Sequence, residues 1–149
     1  MNAKTIELLL IEDNPNDVEL TLHAFAQHNL TTQIHVVRDG VEALDFLFCQ
    51  GEYAGRDAAR QPKVILLDLK LPKVEGLEVL RRIRTDPALR ALPVVVVTAS
   101  RKEQDIVEAY NLGVNSYIVK PIDFDQFVEM AHQLGLYWLL LNETPDGIG

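Results

Sequence analysis

The sequence contains little cysteine and no long apolar run. Cys49 is its single cysteine, so no disulfide can form within the chain. The N-terminal residues lack the apolar stretch of a signal peptide. The apolar runs are also far shorter than the roughly 20 residues that a membrane-spanning helix needs. These absences predict a soluble protein of the cytoplasm.

Basic residues are few as well. The chain carries 14 Lys and Arg against 22 Asp and Glu, has a formal net charge of -8 and contains no run of Lys or Arg. Such a charge argues against nucleic acids and anionic membranes as general partners. At 149 residues the chain has the size of one ordinary domain with one core. We therefore expect a single domain over 1–149, in which 136–149 form an apolar extension and a frayed tail.

The stretch 63–68 is the most informative part of what is present. Its apolar residues 64–67 show no polar alternation, and they end abruptly at Asp68. A run of this kind predicts a strand covered on both faces, as in a parallel sheet flanked by helices. Open parallel sheets place their ligand sites just beyond the carboxyl ends of the strands. Asp68 is therefore the first candidate for chemistry.

The rest of the chain alternates between strand and helix patterns. Strands are predicted at 5–11, 33–37, 63–68, 93–98 and 116–119, and helices at 15–28, 40–48, 76–84, 100–113 and from 123 to about 141. Asn14 and Asp39 are predicted N-caps, and Ser100 is expected to begin a capping box. Val41 is expected on the buried face of the second helix. Five strands that alternate with five helices predict an α/β fold with a doubly wound parallel sheet.

Four of the five predicted strands end in a polar side chain that can do chemistry. These residues are Glu12 with Asp13, Asp68, Thr98 and Lys120. The carboxyl ends of parallel strands meet at one edge, where each close pair of carboxylates would repel by about 4 kcal/mol at an effective dielectric near 20. A proton or a cation must therefore lie among them. Carboxylate oxygens with open positions favour Mg²⁺, which keeps waters and accepts a phosphate oxygen.

This set of residues is suited to phosphoryl transfer. A carboxylate such as Asp68 can act as the nucleophile and form an aspartyl phosphate. A cation and the Lys120 ammonium would neutralise the charge of the incoming group. The Thr98 hydroxyl could bond a phosphoryl oxygen and so draw the start of the next helix toward the site. The pattern predicts a phosphorylation switch.

These motifs resemble the receiver domain of two-component response regulators. The resemblance spans roughly residues 5 to 135 and is carried by Glu12-Asp13, Asp68 with Leu71-Pro72 and Gly76, Thr98-Ala99, and Lys120-Pro121. It implies a flavodoxin-like fold with strand order 2-1-3-4-5 and helices on both faces of the sheet. It also implies a signalling module and not an enzyme.

The resemblance assigns a role to each carboxylate. Asp68 would take phosphate from a histidine kinase. Mg²⁺ would be held by Glu12, Asp13 and Asp68, together with the backbone carbonyl of Lys70. Lys70 and Ser100 stand at positions that tune dephosphorylation in the family, so the lifetime of the phosphate stays open.

The resemblance also implies a switch pair, formed by Thr98 and the aromatic residue Tyr117. The hydroxyl would move to the phosphate while the ring turns inward. Tyr117 taken alone is equally well explained as an ordinary core aromatic. Lys120 joins Pro121 through a cis peptide in many members, and the isomer present here stays open.

A narrower resemblance concerns the whole chain. The opening Glu12-Asp13-Asn14-Pro15-Asn16-Asp17, the long loop before Lys63, the lack of an output domain and the apolar C-terminal extension are similar to single-domain regulators paired with cyanobacterial phytochromes. The implied partner is a light-sensing histidine kinase, and members of the subgroup can dimerise. The last predicted helix is apolar on nearly every side around Trp138, which favours either packing on its own domain or a homodimer contact.

Three other functions fit part of the same sequence pattern. A relay that passes phosphate on to a histidine phosphotransfer protein would use the same residues, so switch and relay are not separated. A phosphatase of the haloacid-dehalogenase type needs a second Asp two residues after the first, where this chain has Lys70. A flavin carrier of the flavodoxin type needs a phosphate loop where Glu12 and Asp13 would repel the phosphate.

Overall fold

The computed structural model describes residues 8–27, 33–120 and 123–134. Strands and helices alternate along these residues, and a short 3-10 helix at Gly51–Tyr53 follows the second helix. The strands are β1 (Leu8–Ile11), β2 (Ile34–Val37), β3 (Val64–Leu67), β4 (Val94–Thr98) and β5 (Ser116–Val119). The helices are α1 (Pro15–Ala26), α2 (Gly40–Phe48), α3 (Gly76–Thr85), α4 (Glu103–Asn111) and α5 (Phe124–Leu134).

The five strands form one parallel sheet in the order β2-β1-β3-β4-β5. The predicted fold class and strand order are thereby confirmed. β1 and β3 are paired in register, with Ile11 opposite Leu67. The residues that follow these strands, Glu12 and Asp68, are consequently neighbours at the carboxyl edge of the sheet.

Each face of the sheet has its own apolar core. Leu9 and Ile11 of β1 contribute to the core shared with α2 and α3, whereas Leu8 and Leu10 contribute to the core shared with α1 and α5. Side chains of a strand point alternately to the two faces, so a strand covered on both sides must be apolar throughout. This is the physical reason why β1, β3 and β4 contain no polar alternation.

Two local predictions are wrong. Helix α4 begins at Glu103, and Ser100 is not its cap, because the Ser100 hydroxyl instead donates to the carboxylate of Asp105. Val41 is exposed, with 41% of its surface accessible. The buried residues of α2 include Ala43 and Leu44, and at 3.6 residues per turn Val41 lies about 110° around the helix from the middle of this pair, outside the buried stripe.

The predicted loop between α2 and β3 is tied to the domain by its own side chains. The Tyr53 hydroxyl donates to Glu42 at 2.7 Å, and its oxygen lies 2.9 Å from the His35 ring. The Arg56 guanidinium lies 3.7 Å from the centre of the Phe46 ring and also donates to the Phe46 carbonyl. This loop is therefore on the surface, as predicted, and fixed at two points.

Several predictions concern residues outside the described ranges. They are the strand residues before Leu8, the continuation of the last helix beyond Leu134, the extension at 136–149 and the Lys120-Pro121 peptide. Among the described residues, no helix is both long enough and apolar enough to cross a membrane.

Gly76 is predicted to be irreplaceable for stability. A Cβ atom at this position would lie 2.4 Å from the Asp68 carbonyl oxygen and 2.5 Å from the Leu69 Cα atom. We expect Gly76→Ala to lower the free energy of unfolding by about 2–3 kcal/mol, because backbone atoms cannot yield as a flexible side chain can. Urea unfolding checks this value.

Gly55→Ala is the matched control, since a Cβ atom there would meet nothing within 4 Å. It should change the free energy of unfolding by no more than about 0.5 kcal/mol. Equal effects of the two substitutions would contradict the proposed close approach at Gly76.

Candidate functional site

Three carboxylates meet at the centre of the sheet's carboxyl edge. Glu12 and Asp13 follow β1, and Asp68 follows β3. One oxygen from each lies within 4.8 Å of the others. Glu12 and Asp68 are buried, whereas Asp13 is exposed. The cluster predicted from the strand ends is thus present and is open to solvent on the side of Asp13.

The Lys120 ammonium lies against this cluster. Its Nζ atom is 2.6 Å from Glu12 Oε1, 2.9 Å from Asp68 Oδ2 and 2.7 Å from Asp17 Oδ2. The lysine side chain is only 12% exposed, so these bonds form largely out of water. An ammonium group has three hydrogens, and the three carboxylates use all of them.

Asp17 is the site residue that sequence reasoning missed. An acid in the first turn of α1 is the ordinary preference of helix N-termini, so the position of Asp17 in the sequence does not by itself indicate a role in the site. The available signal was topological. A helix that follows β1 directly begins at the same sheet edge as Glu12, which brings its first turn within reach of Lys120.

Burial determines the charge of the cluster when no cation is bound. Burial raises the pKa of Glu12 to about 7; the hydrogen bond from Lys120 opposes this rise and the nearby charge of Asp68 adds to it. Burial alone would lower the pKa of Lys120, but its bonds to Asp17, Glu12 and Asp68 raise that pKa overall. The lysine is therefore charged at any physiological pH, while Glu12 titrates near neutrality.

The donor set of this edge fits a divalent cation. Carboxylate oxygens are the hard ligands that Mg²⁺, Mn²⁺ and Ca²⁺ accept, and the exposed side of Asp13 leaves positions for water. The backbone of Lys70 lies beside the carboxylate cluster, since the Lys70 N–H donates to Asp68 Oδ1 at 3.0 Å. The ligand role of the Lys70 carbonyl stays a prediction.

Thr98 and Tyr117 are connected through one residue. Thr98 ends β4 fully buried, and its hydroxyl oxygen accepts from the Ser100 N–H at 3.4 Å. The Tyr117 hydroxyl donates to the Ser100 carbonyl at 3.0 Å. Burial raises the pKa of Tyr117, so it remains a neutral donor. The two residues predicted to form a switch pair thus contact opposite ends of the Ser100 backbone.

The stability of the cation-free protein should fall as pH rises. The folded state raises the Glu12 pKa from 4.5 to about 7, so it favours the protonated carboxyl. This contribution is complete below pH 4.5 and is lost as pH rises through about 7. We expect a loss of about 2–3 kcal/mol between pH 5 and pH 8, measured by urea unfolding in the presence of a chelator.

Glu12→Gln isolates this contribution from that of the other acids. The variant carries no titrating group at this position and should lose less stability over the same pH range. A decline as steep as that of the wild type would show that Glu12 is not the group responsible.

Comparison with known proteins gives the same family throughout. A profile of the response regulator receiver domain matches residues 8–132. The probable methanogenesis regulatory protein FilR2 of Methanothrix harundinacea is 42% identical over 138 residues, which are 93% of this chain and 86% of that protein. The response regulator Rcp1 of Synechocystis sp. is 37% identical over 132 residues, covering 89% of this chain and 88% of Rcp1.

Solved structures match the fold over most of the chain. The phosphorylated cyanobacterial phytochrome response regulator RcpA superposes with a TM-score of 0.84 at 39% identity, covering 95% of this chain and 99% of RcpA. The bacteriophytochrome response regulator AtBRR has a TM-score of 0.74 at 50% identity, covering 95% of this chain and 100% of AtBRR. The Mn²⁺-bound form of Rcp1 has a TM-score of 0.81 at 36% identity, covering 93% of this chain and 97% of that one.

Sequence, sheet order and the acidic edge therefore lead to one assignment. Divalent cations bind at the acidic pocket of receiver domains, and the cluster of Glu12, Asp13 and Asp68 fits such an ion. The chain belongs to the response regulator receiver domain family and is a homologue of regulators such as Rcp1 and RcpA.

Proposed function

We propose that Asp68 accepts a phosphoryl group from the phosphohistidine of a histidine kinase. The observation that carries this proposal is the place of Asp68, buried between two further carboxylates and an ammonium group 2.9 Å away. In the reaction an Asp68 oxygen forms a bond to phosphorus while the bond between phosphorus and the histidine nitrogen breaks. The product is an aspartyl phosphate.

The cation in this proposal is Mg²⁺, held by Glu12, Asp13 and Asp68 and by the Lys70 carbonyl. When bound, it supplies positive charge that neutralises the transferring phosphoryl oxygens. The chain's own residues then do the positioning. The Lys70 N–H orients the Asp68 carboxylate through Oδ1, and the Lys120 ammonium donates to oxygens on the Oδ2 side.

Phosphorylation would be reported through Ser100. The Thr98 hydroxyl that accepts from the Ser100 N–H would turn to a phosphoryl oxygen, which changes the backbone that the Tyr117 hydroxyl contacts. Ser100 precedes α4, so the change would reach the face formed by α4 and β5. The output in this proposal is protein–protein contact, and the chain acts as a signalling module and not as an enzyme.

We infer that the cognate kinase is a phytochrome, and that the two proteins meet in the cytoplasm. RcpA and AtBRR are phytochrome response regulators by name, and they match this chain at 39% and 50% identity. Both matches run over nearly the whole of each chain, which supports a shared mode of partner recognition. The name of FilR2 indicates that a regulator of comparable identity serves another pathway.

Phosphorylation of Asp68 can be tested directly. The full chain is incubated with acetyl phosphate and Mg²⁺, and its intact mass is measured. We expect the mass of one added phosphoryl group, none for Asp68→Asn, and none when a chelator removes the cation.

Asp57→Asn is the matched control, because Asp57 is a surface residue of the loop before β3, with a side chain 61% exposed. It should be phosphorylated like the wild type. An undiminished phosphoryl group on Asp68→Asn would overturn the assignment of the acceptor.

We also propose that the chain forms a homodimer through its last helix and the extension at 136–149. The support is compositional: Leu136, Tyr137, Leu139 and Leu140 surround the core stripe of the last predicted helix with further apolar side chains. Sedimentation of the full chain over a range of concentrations should show self-association. A chain cut after Gly135 should sediment as a monomer, and an unchanged monomer in both cases would exclude this dimer.

A further inference from the structure

Asp17 has a role that its place at a helix N-terminus does not explain. In α1 Asn14 is the N-cap, and its side chain accepts from the N–H groups of Asn16 and Asp17. An acid at the Asp17 position commonly reaches back to the N-cap N–H. Here that N–H donates to Glu12 Oε2 at 3.1 Å, while the Asp17 carboxylate contacts Lys120, 103 residues away. The acid is therefore used by the site and not by the helix.

Asp17 differs from the other two partners of Lys120. Glu12 and Asp68 bond the ammonium and also belong to the carboxylate group that can hold a cation. Asp17 bonds the ammonium and lies outside that group. A divalent cation and the lysine must therefore compete for Glu12 and Asp68, whereas Asp17 serves the lysine alone.

We propose that Asp17 is a positioning residue that keeps Lys120 at the site while a divalent cation takes over Glu12 and Asp68. The inference rests on the proposed cation site. With Asp17 retained as one acceptor, the two hydrogens that bond Glu12 and Asp68 in this structure become available to phosphoryl oxygens when the cation takes those carboxylates. Asp17 thus allows two cations to occupy one small cluster of carboxylates.

The test is a double-mutant cycle on cation affinity in the full chain. Isothermal titration with Mg²⁺, repeated with Mn²⁺, is compared between the wild type and Asp17→Asn. We expect the cation affinity of Asp17→Asn to be about fivefold to tenfold lower than that of the wild type. Without Asp17, Lys120 can bond only Glu12 and Asp68, which are the ligands that the cation needs. Loss of a nearby negative charge acts in the same direction.

Lys120→Met separates these two causes. Without the competing ammonium, the further change Asp17→Asn should weaken cation binding by no more than about twofold, the residual effect of charge alone. An undiminished effect of Asp17→Asn in the Lys120→Met background would overturn the inference, since Asp17 would then act on the cation directly.

Glu19→Gln is the matched control for charge on α1. Glu19 lies two residues further along the helix, its side chain is 72% exposed, and its carboxylate lies 3.7 Å from His23 Nε2. It should change cation affinity by less than about twofold. An effect equal to that of Asp17→Asn would reduce the role of Asp17 to its charge and overturn the inference.

Phosphorylation gives a second readout that a merely structural role would not move. The rate of modification by acetyl phosphate in Asp17→Asn should be reduced at limiting Mg²⁺ and should stay below the wild-type rate at saturating Mg²⁺, because Lys120 has then lost the acceptor that keeps it at the site. A wild type that binds neither cation would overturn the proposed cation site together with this inference. A wild type that binds cations as tightly as Asp17→Asn would overturn the inference alone.

Discussion

The site depends on the three bonds of a single ammonium group. Lys120 extends to the site from the end of β5. It bonds the carboxylates of Glu12 after β1, Asp17 on α1 and Asp68 after β3. Removing one member of a buried ion pair typically costs 3–5 kcal/mol, because the remaining charge is left unpaired. The lysine charge would be unpaired without the carboxylates, and the buried carboxylates would be unpaired without the lysine. This mutual dependence joins four separate segments of the chain at one point.

The parallel sheet is what makes this point possible. β1 and β3 are paired in register, so Glu12 and Asp68 leave the sheet side by side, and Gly76 lets the chain pass close to the Asp68 backbone. Repulsion between these acids destabilises the fold by an amount that matters, because the free energy of unfolding of a domain is typically of the order of 5–15 kcal/mol. Burial raises the pKa of Glu12, and the nearby charge of Asp68 adds to this rise. A bound divalent cation would relieve this repulsion.

Much of this architecture could be predicted from short-range patterns. The continuous apolar run 64–67 predicted a strand covered on both faces, and β3 is buried throughout. The pattern at 93–98 predicted a further strand, and it forms the buried strand β4. The residues that end the strands then followed from the rule that parallel strands place their carboxyl ends at one edge. The predictions that failed concern individual side-chain contacts, which no periodic pattern in the sequence reveals. Ser100 had the spacing of a cap, but its hydroxyl bonds Asp105, and the role of Asp17 depends on a residue 103 positions away.

The two ends of α4 are held differently, which bears on where the proposed signal from Asp68 would act. The C-terminal end is tied to α3, because the Arg84 guanidinium donates to the carbonyls of Leu112 and Gly113 at 2.7 and 2.8 Å. A further ion pair joins Arg81 to Glu108 on α4. The N-terminal end is held instead through Ser100, whose hydroxyl donates to Asp105 and whose carbonyl accepts from Tyr117. The residue before the helix, Lys102, makes no side-chain cap bond. In the proposed mechanism, a displacement that begins at Thr98 and passes through Ser100 meets the N-terminal end of α4 first, while the Arg84 bonds hold the C-terminal end.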